Sequence, residues 1–283
     1  MLHIYKTCKW FIFLLFVVAV VQSCNIINPK EQVPTYIHID SFQFAGKGSH
    51  EITSVVVYYN NNPVGSFDLP VTFPVMATGS GKLLCTPAVN SNGQNDRTVQ
   101  YPFYLQDTFT FSAKPGEIVN HNPITSYVPS TQFQTISDFE YGQINISKSG
   151  GNIPMTDVSD PSLVFDGNGT GSIYLGAVGD SSVDSSNKTF IIPATESFVE
   201  FDYKTDIPFA VGFLDNYSSL YVGSPYYIAG INPSTTWRKF YLNVTGYRST
   251  HPAVSFNFIL RTSLLPDQTS GRLLIDNIKL VTF

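Results

Sequence analysis

Charged residues are scarce in this chain. Lys, Arg, Asp and Glu together make up 13% of its 283 residues, whereas a globular protein usually has about a quarter. The formal net charge is −5, and no stretch of the chain concentrates Lys or Arg. Because nucleic-acid binding needs a concentrated basic surface, this composition argues against a nucleic-acid partner.

Cysteine is also scarce. The chain has Cys8, Cys24 and Cys85, of which Cys8 lies just before the apolar run at the start of the chain and Cys24 just after it. We expect Cys8 to be removed with a signal peptide and Cys24 to carry a lipid, as argued from the apolar run below. Cys85 is then left without an intramolecular disulfide partner. It follows Leu83-Leu84 in a predicted strand, where we expect a buried, unreactive thiol.

The familiar catalytic motifs are missing. There is no Gly-x-Ser-x-Gly nucleophile elbow, and no two histidines have metal-ligand spacing. Residues 78–82 and 166–171 are glycine-rich but fail the phosphate-loop pattern, because Leu83 replaces the Ser or Thr of the first and the second lacks Lys. We therefore expect a protein that is not an enzyme. A glycosidase remains an alternative, since its paired carboxylates need to meet only in space.

The long apolar run of the chain is confined to its start. Trp10–Val21 is unbroken by any polar residue, follows Lys6 and Lys9, and ends at Gln22-Ser23. It is shorter than the about 20 apolar residues that a membrane-spanning helix needs. The run therefore predicts a signal peptide.

The segment Val21-Gln22-Ser23-Cys24 resembles the lipobox of bacterial lipoproteins. The resemblance implies a signal peptide over 1–23, palmitate-type acylation of Cys24 and a lipidated tether over 24–33. More than one acyl chain holds a protein firmly on a membrane. Asn25 is compatible, in that family, with sorting to the outer membrane, and the side that the protein faces is left open. An ordinary secretory signal with a chance cysteine is the alternative.

Strand-forming residues dominate the rest of the chain. Val199, Phe201 and Tyr203 alternate with polar residues, and no stretch after residue 30 has the spacing of a helix. The sequence therefore predicts an all-β fold of two β-sandwich domains, over 34–128 and 133–283. A linker near 129–132 joins them.

Each predicted domain resembles a known family. In the first, Val57-Tyr58-Tyr59, Pro63-Val64-Gly65, Leu69-Pro70 and Lys114-Pro115-Gly116-Glu117 resemble PEGA-like β-sandwiches. The second is similar to the galactose-binding-like jelly rolls, which include many carbohydrate-binding modules. The segments that carry this second resemblance are Ser137–Glu140, Phe198–Lys204, Trp237–Leu242 and Leu274–Leu280. With its lipobox, the whole chain resembles uncharacterised surface lipoproteins of the Bacteroidota.

Tyrosines crowd one stretch of the second predicted domain. Sugar-binding proteins stack sugar faces on aromatic rings and orient them with a few polar groups. We expect a ligand site formed by Asp215, Asn216, Tyr217, Tyr221, Tyr226 and Tyr227. The alternative is that these are ordinary outward-facing strand residues. Trp237 is expected in the core instead.

Asp276 is the most informative carboxylate. Alternation places it with Leu274, Ile278 and Leu280 on the predicted inner face, where an unpaired carboxylate is costly. In the resembling jelly rolls, an aspartate of the last strand often helps to hold a structural Ca²⁺ with acidic residues near the first strand. Asp138 and Glu140 are the corresponding residues here, and Ca²⁺ accepts such oxygen ligands. The alternative is that Asp276 accepts hydrogen bonds from main-chain amides.

These features lead to two hypotheses of function. The first is an outer-membrane-anchored lipoprotein that acts as a non-catalytic binding module for surface glycans. The second is an accessory subunit that docks onto another cell-envelope protein complex or mediates adhesion. In both, the membrane is contacted through the lipid on Cys24.

Overall fold

The computed structural model describes Trp10 and residues 31–77, 79–94, 97–218 and 221–283, with the backbone alone at 221–222. Cys24 therefore lies outside the described residues. The same holds for the predicted signal peptide, except Trp10, and for residues 24–30 of the predicted tether. Among the described residues, no helix has the length and apolarity needed to cross a bilayer.

The chain is all β, as predicted. The strands before the predicted linker and the strands after it belong to different sheets. Before it lie β1 (Thr35–Ile39), β2 (Gln43–Phe44), β3 (Ser54–Tyr59), β4 (Asn62–Asp68), β5 (Val71–Val75), β6 (Gly79–Asn90), β7 (Thr98–Gln100), β8 (Asp107–Ala113), β9 (Ile118–Asn120) and β10 (Ile124–Thr125). After it lie β11 (Gln132–Ser137), β12 (Ile146–Gly151), β13 (Thr156–Val158), β14 (Thr170–Leu175), β15 (Ser181–Ser186), β16 (Ser197–Thr205), β17 (Phe209–Ser218), β18 (Tyr221–Val222), β19 (Tyr226–Ile231), β20 (Ser234–Asn243), β21 (Ser255–Ser263) and β22 (Gly271–Thr282). Single helical turns occur at Glu140–Gly142 and Tyr247–Thr250.

Strands β1–β10 form the first sandwich. A sheet of order β5-β1-β9 and a small β10-β2 pair face a sheet of order β4-β3-β6-β7, in which β8 also pairs with β6. Alternating residues such as Ile37, Val55 and Leu83 are fully buried between the sheets. Cys85 lies among them as a free thiol. The thiol is buried, as expected, and burial raises its pKa to about 12, which disfavours the reactive thiolate.

Strands β11–β22 form the second sandwich, a jelly roll of two six-stranded sheets. Sheet A has the order β13-β14-β22-β16-β20, with β11 on β22, and sheet B has the order β12-β15-β21-β17-β18, with β19 on β17. The predicted alternation in β16 is confirmed, because Val199 and Phe201 are completely buried between the sheets, where Phe213 and Phe258 of sheet B face them.

The first sandwich covers part of the outer face of sheet A. Phe198, Tyr241 and Val281 of sheet A form one buried cluster with residues of the first sandwich, including Tyr101 and Phe103. The phenol of Tyr101 lies edge-on to Phe198, with ring centroids 5.0 Å apart. The two sandwiches therefore share an apolar interface.

A buried carboxylate lies at the same interface. Glu200 is fully buried and accepts hydrogen bonds from the hydroxyls of Tyr101 and Tyr127, the latter at 2.7 Å. The ammonium groups of Lys239 and Lys279 lie 3.1 and 3.4 Å from it. Burial alone would raise the pKa of Glu200, but the two lysines and the hydroxyls reverse this and hold the pKa below its ordinary value. Glu200 is therefore charged and joins the two sandwiches.

Candidate functional site

Asp276 lies beside a β-bulge in the last strand. Strands β16 and β22 pair Glu200 with Lys279 and Asp202 with Asp276, so β22 has one residue more between these pairs. Asn277, within the bulge, has a φ of 53°. This left-handed conformation accommodates the extra residue of the bulged strand.

The bulge changes the direction in which Asp276 points. Ile275 and Ile278 both belong to the core between the sheets, so Asp276 lies on the outer face of sheet A, opposite Asp202. The prediction that Asp276 shares the inner face with Ile278 and Leu280 is therefore wrong. Strict alternation fails because two residues of β22 oppose one of β16.

Asp276 has the partners that its burial requires. Its side chain is 1% exposed and accepts hydrogen bonds from the Thr170 hydroxyl and the Asn277 main-chain N–H, both at 2.8 Å. Burial raises the pKa of Asp276 to about 7, and the neighbouring Asp202 carboxylate adds to the effect. A carboxyl group in this position is thus protonated more readily than an exposed one.

The structure does not bring the three predicted calcium ligands together. The main-chain N–H of Asn168 donates a hydrogen bond to the Glu140 carboxylate, and its nitrogen lies 3.1 Å from each carboxylate oxygen. Asp138 accepts the N–H of Glu140 at 3.4 Å. In the described part of the chain, no group of three His, Cys, Asp or Glu side chains is placed to hold a metal ion. A cation at Asp138, Glu140 or Asp276 would therefore need additional main-chain or hydroxyl oxygens.

Asp157 is a carboxylate that the sequence reasoning missed. Its Oδ1 atom is buried and has no hydrogen-bond partner within the described residues. A side chain at Gly169 would run into both this atom and the main-chain oxygen of Phe139, so the two oxygens are neighbours. Carboxylate and main-chain oxygens are the ligands that Ca²⁺ takes in proteins. These two oxygens are fewer than the roughly six to eight that Ca²⁺ takes, so calcium stays a prediction, with Asp157 as a further candidate ligand.

Part of the predicted tyrosine site lies at one end of the second sandwich. Asp215 is buried and accepts hydrogen bonds from the hydroxyls of Tyr247 and Tyr217, at 3.0 and 3.2 Å. Tyr247 stacks on His251 with ring centroids 4.0 Å apart, and Tyr226 lies 4.7 Å from the same imidazole. Asp215 therefore ties together an aromatic cluster whose exposed members include Tyr217 and Tyr226.

Tyr227 lies on the other side of the same sheet. It pairs with Gly212, whereas Tyr226 pairs with the core residue Phe213, and neighbouring strand residues point to opposite faces. On the outer face of sheet B, the guanidinium of Arg261 lies 4.3 Å from the centroid of the Tyr227 ring. The structure thus separates Tyr227 from Tyr217 and Tyr226.

The remaining residues of the predicted site, Asn216 and Tyr221, lie in the paired strands β17 and β18. Asn216 pairs with Val222 and donates from Nδ2 to Asn257 Oδ1 at 2.8 Å. Tyr221 is in β18, and its side chain lies outside the described part of the structure. The predicted six-residue site therefore does not form a single surface.

A cleft crosses the outer face of sheet B. Strand pairing aligns one residue from each of β12, β15, β21, β17 and β19 in a row: Gly150, Val183, Arg261, Ala210 and Gly230. The cleft has a volume of about 640 Å³ and is lined by four of these residues, with Ser181 and Ser263 beside them. Its volume is within the range of about 300–1,000 Å³ that is typical of ligand sites. The row could not be read from the sequence, because only the strand register brings its members together.

Sheet A carries partly exposed aromatic side chains of its own. Tyr174 is 52% exposed, and the guanidinium of Arg272 lies 5.2 Å from its ring centroid. Trp237, which was expected in the core, is half-buried against Phe165 at a centroid distance of 4.9 Å and lies outside the core cluster. A tyrosine with a neighbouring arginine thus occurs on both sheets.

Comparison with known proteins gives a likeness of fold alone. No protein-family model matches the chain, and no curated protein is detectably similar to it in sequence. Among solved structures, the family 11 carbohydrate-binding module of the cellulosomal cellulase Lic26A-Cel5E of Clostridium thermocellum is 15% identical, with a TM-score of 0.38 over 53% of this chain and 94% of that one. A family 29 carbohydrate-binding module is 14% identical, with a TM-score of 0.37 over 54% of this chain and 89% of that one. Any function must therefore follow from the geometry of this chain.

Proposed function

We propose that this chain is a non-catalytic lipoprotein of the outer membrane whose second sandwich binds a glycan in the cleft across sheet B. The observation that carries the proposal is the cleft itself. The first sandwich covers part of the outer face of sheet A, and the cleft lies on the outer face of the opposite sheet. A ligand can therefore reach sheet B without disturbing the interface between the sandwiches.

The residues of the cleft suit the chemistry of a sugar. Sugar rings present apolar faces that pack on aromatic side chains, and hydroxyls that need hydrogen-bond partners. Tyr227 supplies a ring next to the cleft, and the exposed Arg261 supplies guanidinium donors above that ring. Ala210 and Gly230 add almost no side-chain bulk, which allows a ligand to approach the main chain closely.

The membrane anchor is the part of the proposal that rests on the sequence. Lipidation of Cys24 would place the first sandwich close to the bilayer, because a tether of residues 24–33 at about 3.3 Å per residue reaches roughly 30 Å. The resemblance of Val21-Gln22-Ser23-Cys24 to a lipobox supports this arrangement.

Affinity electrophoresis tests the binding function. The mature chain, made soluble by Cys24→Ser, is run through gels that contain a panel of neutral and acidic polysaccharides. We expect at least one polysaccharide to retard the protein, and Tyr227→Ala to abolish the retardation. Tyr174→Ala is the matched control, because it removes a tyrosine beside an arginine on the other sheet and should migrate like the parent.

Two results would contradict the proposal. One is normal migration in every polysaccharide, and the other is equal retardation of the parent and Tyr227→Ala. Normal migration would favour the accessory-subunit hypothesis, for which crosslinking in intact cells would identify the envelope partner.

A further inference from the structure

A second cleft, the domain cleft, lies where the two sandwiches meet. It measures about 230 Å³ and is lined by Glu51 and Asn90 of the first sandwich and by Tyr203 and Arg238 of the second. The cleft on sheet B and the domain cleft share Gly230, Ile231 and Asn232 as lining residues. The two clefts are therefore neighbours that meet over the end of β19.

Gly230 is a glycine that the fold itself does not require. A Cβ atom added there would meet no atom within 4 Å, and the residue does not have a left-handed φ. Gly212, on the adjacent strand, differs because its Cβ would run into the main chain of Tyr226. A glycine inside a strand costs roughly 0.5–1 kcal/mol relative to alanine. Open space above such a glycine is typical of a place where a ligand approaches the backbone.

The domain cleft offers polar groups that are held in place. The carboxylate of Glu51 accepts a hydrogen bond from Arg238 Nε at 2.5 Å and another from the main-chain N–H of Lys239 at 2.9 Å. The Arg238 side chain is 48% exposed, so some of its donors remain available to a ligand. Tyr203 adds a half-buried aromatic ring. At about 230 Å³ the cleft is smaller than ligand sites of about 300–1,000 Å³, which fits an extension of a larger site.

The dimensions of the row across sheet B also point to an extended ligand. The four residues of the row that line the cleft run from β15 to β19, which is three steps of about 4.8 Å between neighbouring strands, or about 14 Å. This length exceeds that of a single sugar ring. At Gly230 the row leaves the edge of sheet B and reaches the domain cleft.

We propose that the two clefts form one binding path over Gly230, so that the first sandwich contributes part of the site and the ligand is an extended glycan chain of several sugars. This inference rests on the proposed glycan-binding function. It assigns Glu51 and Arg238 to an outer subsite, and Arg261 with Tyr227 to the main subsite on sheet B.

A bulky residue at position 230 tests the path. Gly230→Trp fills the junction of the clefts, while Gly230→Ala adds one methyl group and serves as the control. The probes are mannobiose and mannohexaose, and digalacturonate and hexagalacturonate, titrated by calorimetry into the mature Cys24→Ser chain. Melting temperatures of the two variants establish that both are folded.

For the class of probe that binds, we expect the hexasaccharide to bind about tenfold more tightly than the disaccharide, a difference of about 1.4 kcal/mol. Because Gly230 lines both clefts, Gly230→Trp should weaken binding of the disaccharide, and it should weaken binding of the hexasaccharide by a larger factor, so that the advantage of the longer probe is lost. The smaller Gly230→Ala should keep that advantage. Equal affinities for the short and long probes in the parent, or an advantage of the hexasaccharide that persists in Gly230→Trp, would overturn the binding path while the function of the main cleft stands. Failure of all four probes to bind would overturn both.

Discussion

The charge of Glu200 should contribute strongly to the stability of the joined sandwiches. Glu200→Gln keeps the shape of the side chain and removes the charge. The ammonium group of Lys239, whose side chain is 1% exposed, then loses the carboxylate that lies 3.1 Å away. Lys279 loses the same partner at 3.4 Å. A buried cation that has lost its nearest counter-ion is the main cost of the substitution.

The size of the effect follows from the burial of the pair. Removing one partner of a buried ion pair costs about 3–5 kcal/mol. In a protein of this size, 1 kcal/mol corresponds to about 2–4 °C in melting temperature, so Glu200→Gln should melt about 6–20 °C lower at pH 7. The pKa of Glu200 is below its ordinary value, so its stabilisation is present at neutral pH and is lost as the pH falls through that pKa. The difference between parent and variant should therefore shrink in acid.

Glu196→Gln is the matched control. Glu196 is exposed, and its carboxylate accepts a hydrogen bond from the Thr245 hydroxyl at 3.0 Å. An exposed substitution of this kind usually changes stability by less than about 0.5 kcal/mol. Calorimetric melting curves that agree for Glu200→Gln and Glu196→Gln would refute the stabilising role of the buried ion cluster.

Three further predictions concern Asp276, the calcium hypothesis and the lipid anchor. Burial raises the pKa of Asp276 to about 7, so the protonated carboxyl group stabilises the fold at low pH, and this stabilisation is lost as the pH rises through 7. The melting temperature of Asp276→Asn minus that of the parent should therefore increase between pH 4 and pH 8. Parallel pH profiles of the two proteins would contradict this. Millimolar EDTA should lower the melting temperature of the parent but not of Asp157→Asn, and an unmoved parent would argue against calcium. Cys24→Ser should lose labelling by a palmitate analogue and leave the membrane fraction, whereas a variant still found with membranes would exclude the lipid anchor.

The core of the second sandwich could be predicted from the sequence because it depends on a local pattern. In β16, Val199 and Phe201 alternate with Glu200 and Asp202, and both apolar residues are fully buried between the sheets. Each strand has one side facing the other sheet, so a period of two is enough to assign its inner face. The all-β class follows from the same pattern.

The burial of the opposite side of β16 could not be predicted from this alternation. Glu200 and Asp202 occupy the positions that alternation assigns to the outer face, yet they are 0% and 1% exposed. The first sandwich covers them through residues that lie 73 to 153 positions away in the sequence, and a local pattern contains no information about contacts at that separation. The bulge at Asn277 escaped prediction for a related reason, because a bulge is defined by the pairing of two strands, and here β16 has one residue fewer than β22 between two pairs.

The residues of the candidate site could not be predicted from local sequence either. Tyr226 and Tyr227 are adjacent in sequence but point to opposite faces of sheet B, whereas Val183, Arg261 and Gly230 are far apart in sequence and lie in one row. In a sheet, closeness along the chain therefore says little about which side chains a ligand can touch together. The register decides this, and so does the first sandwich, which covers part of sheet A and also lines the domain cleft. One interface thus buries the ion cluster around Glu200 and also lines the domain cleft.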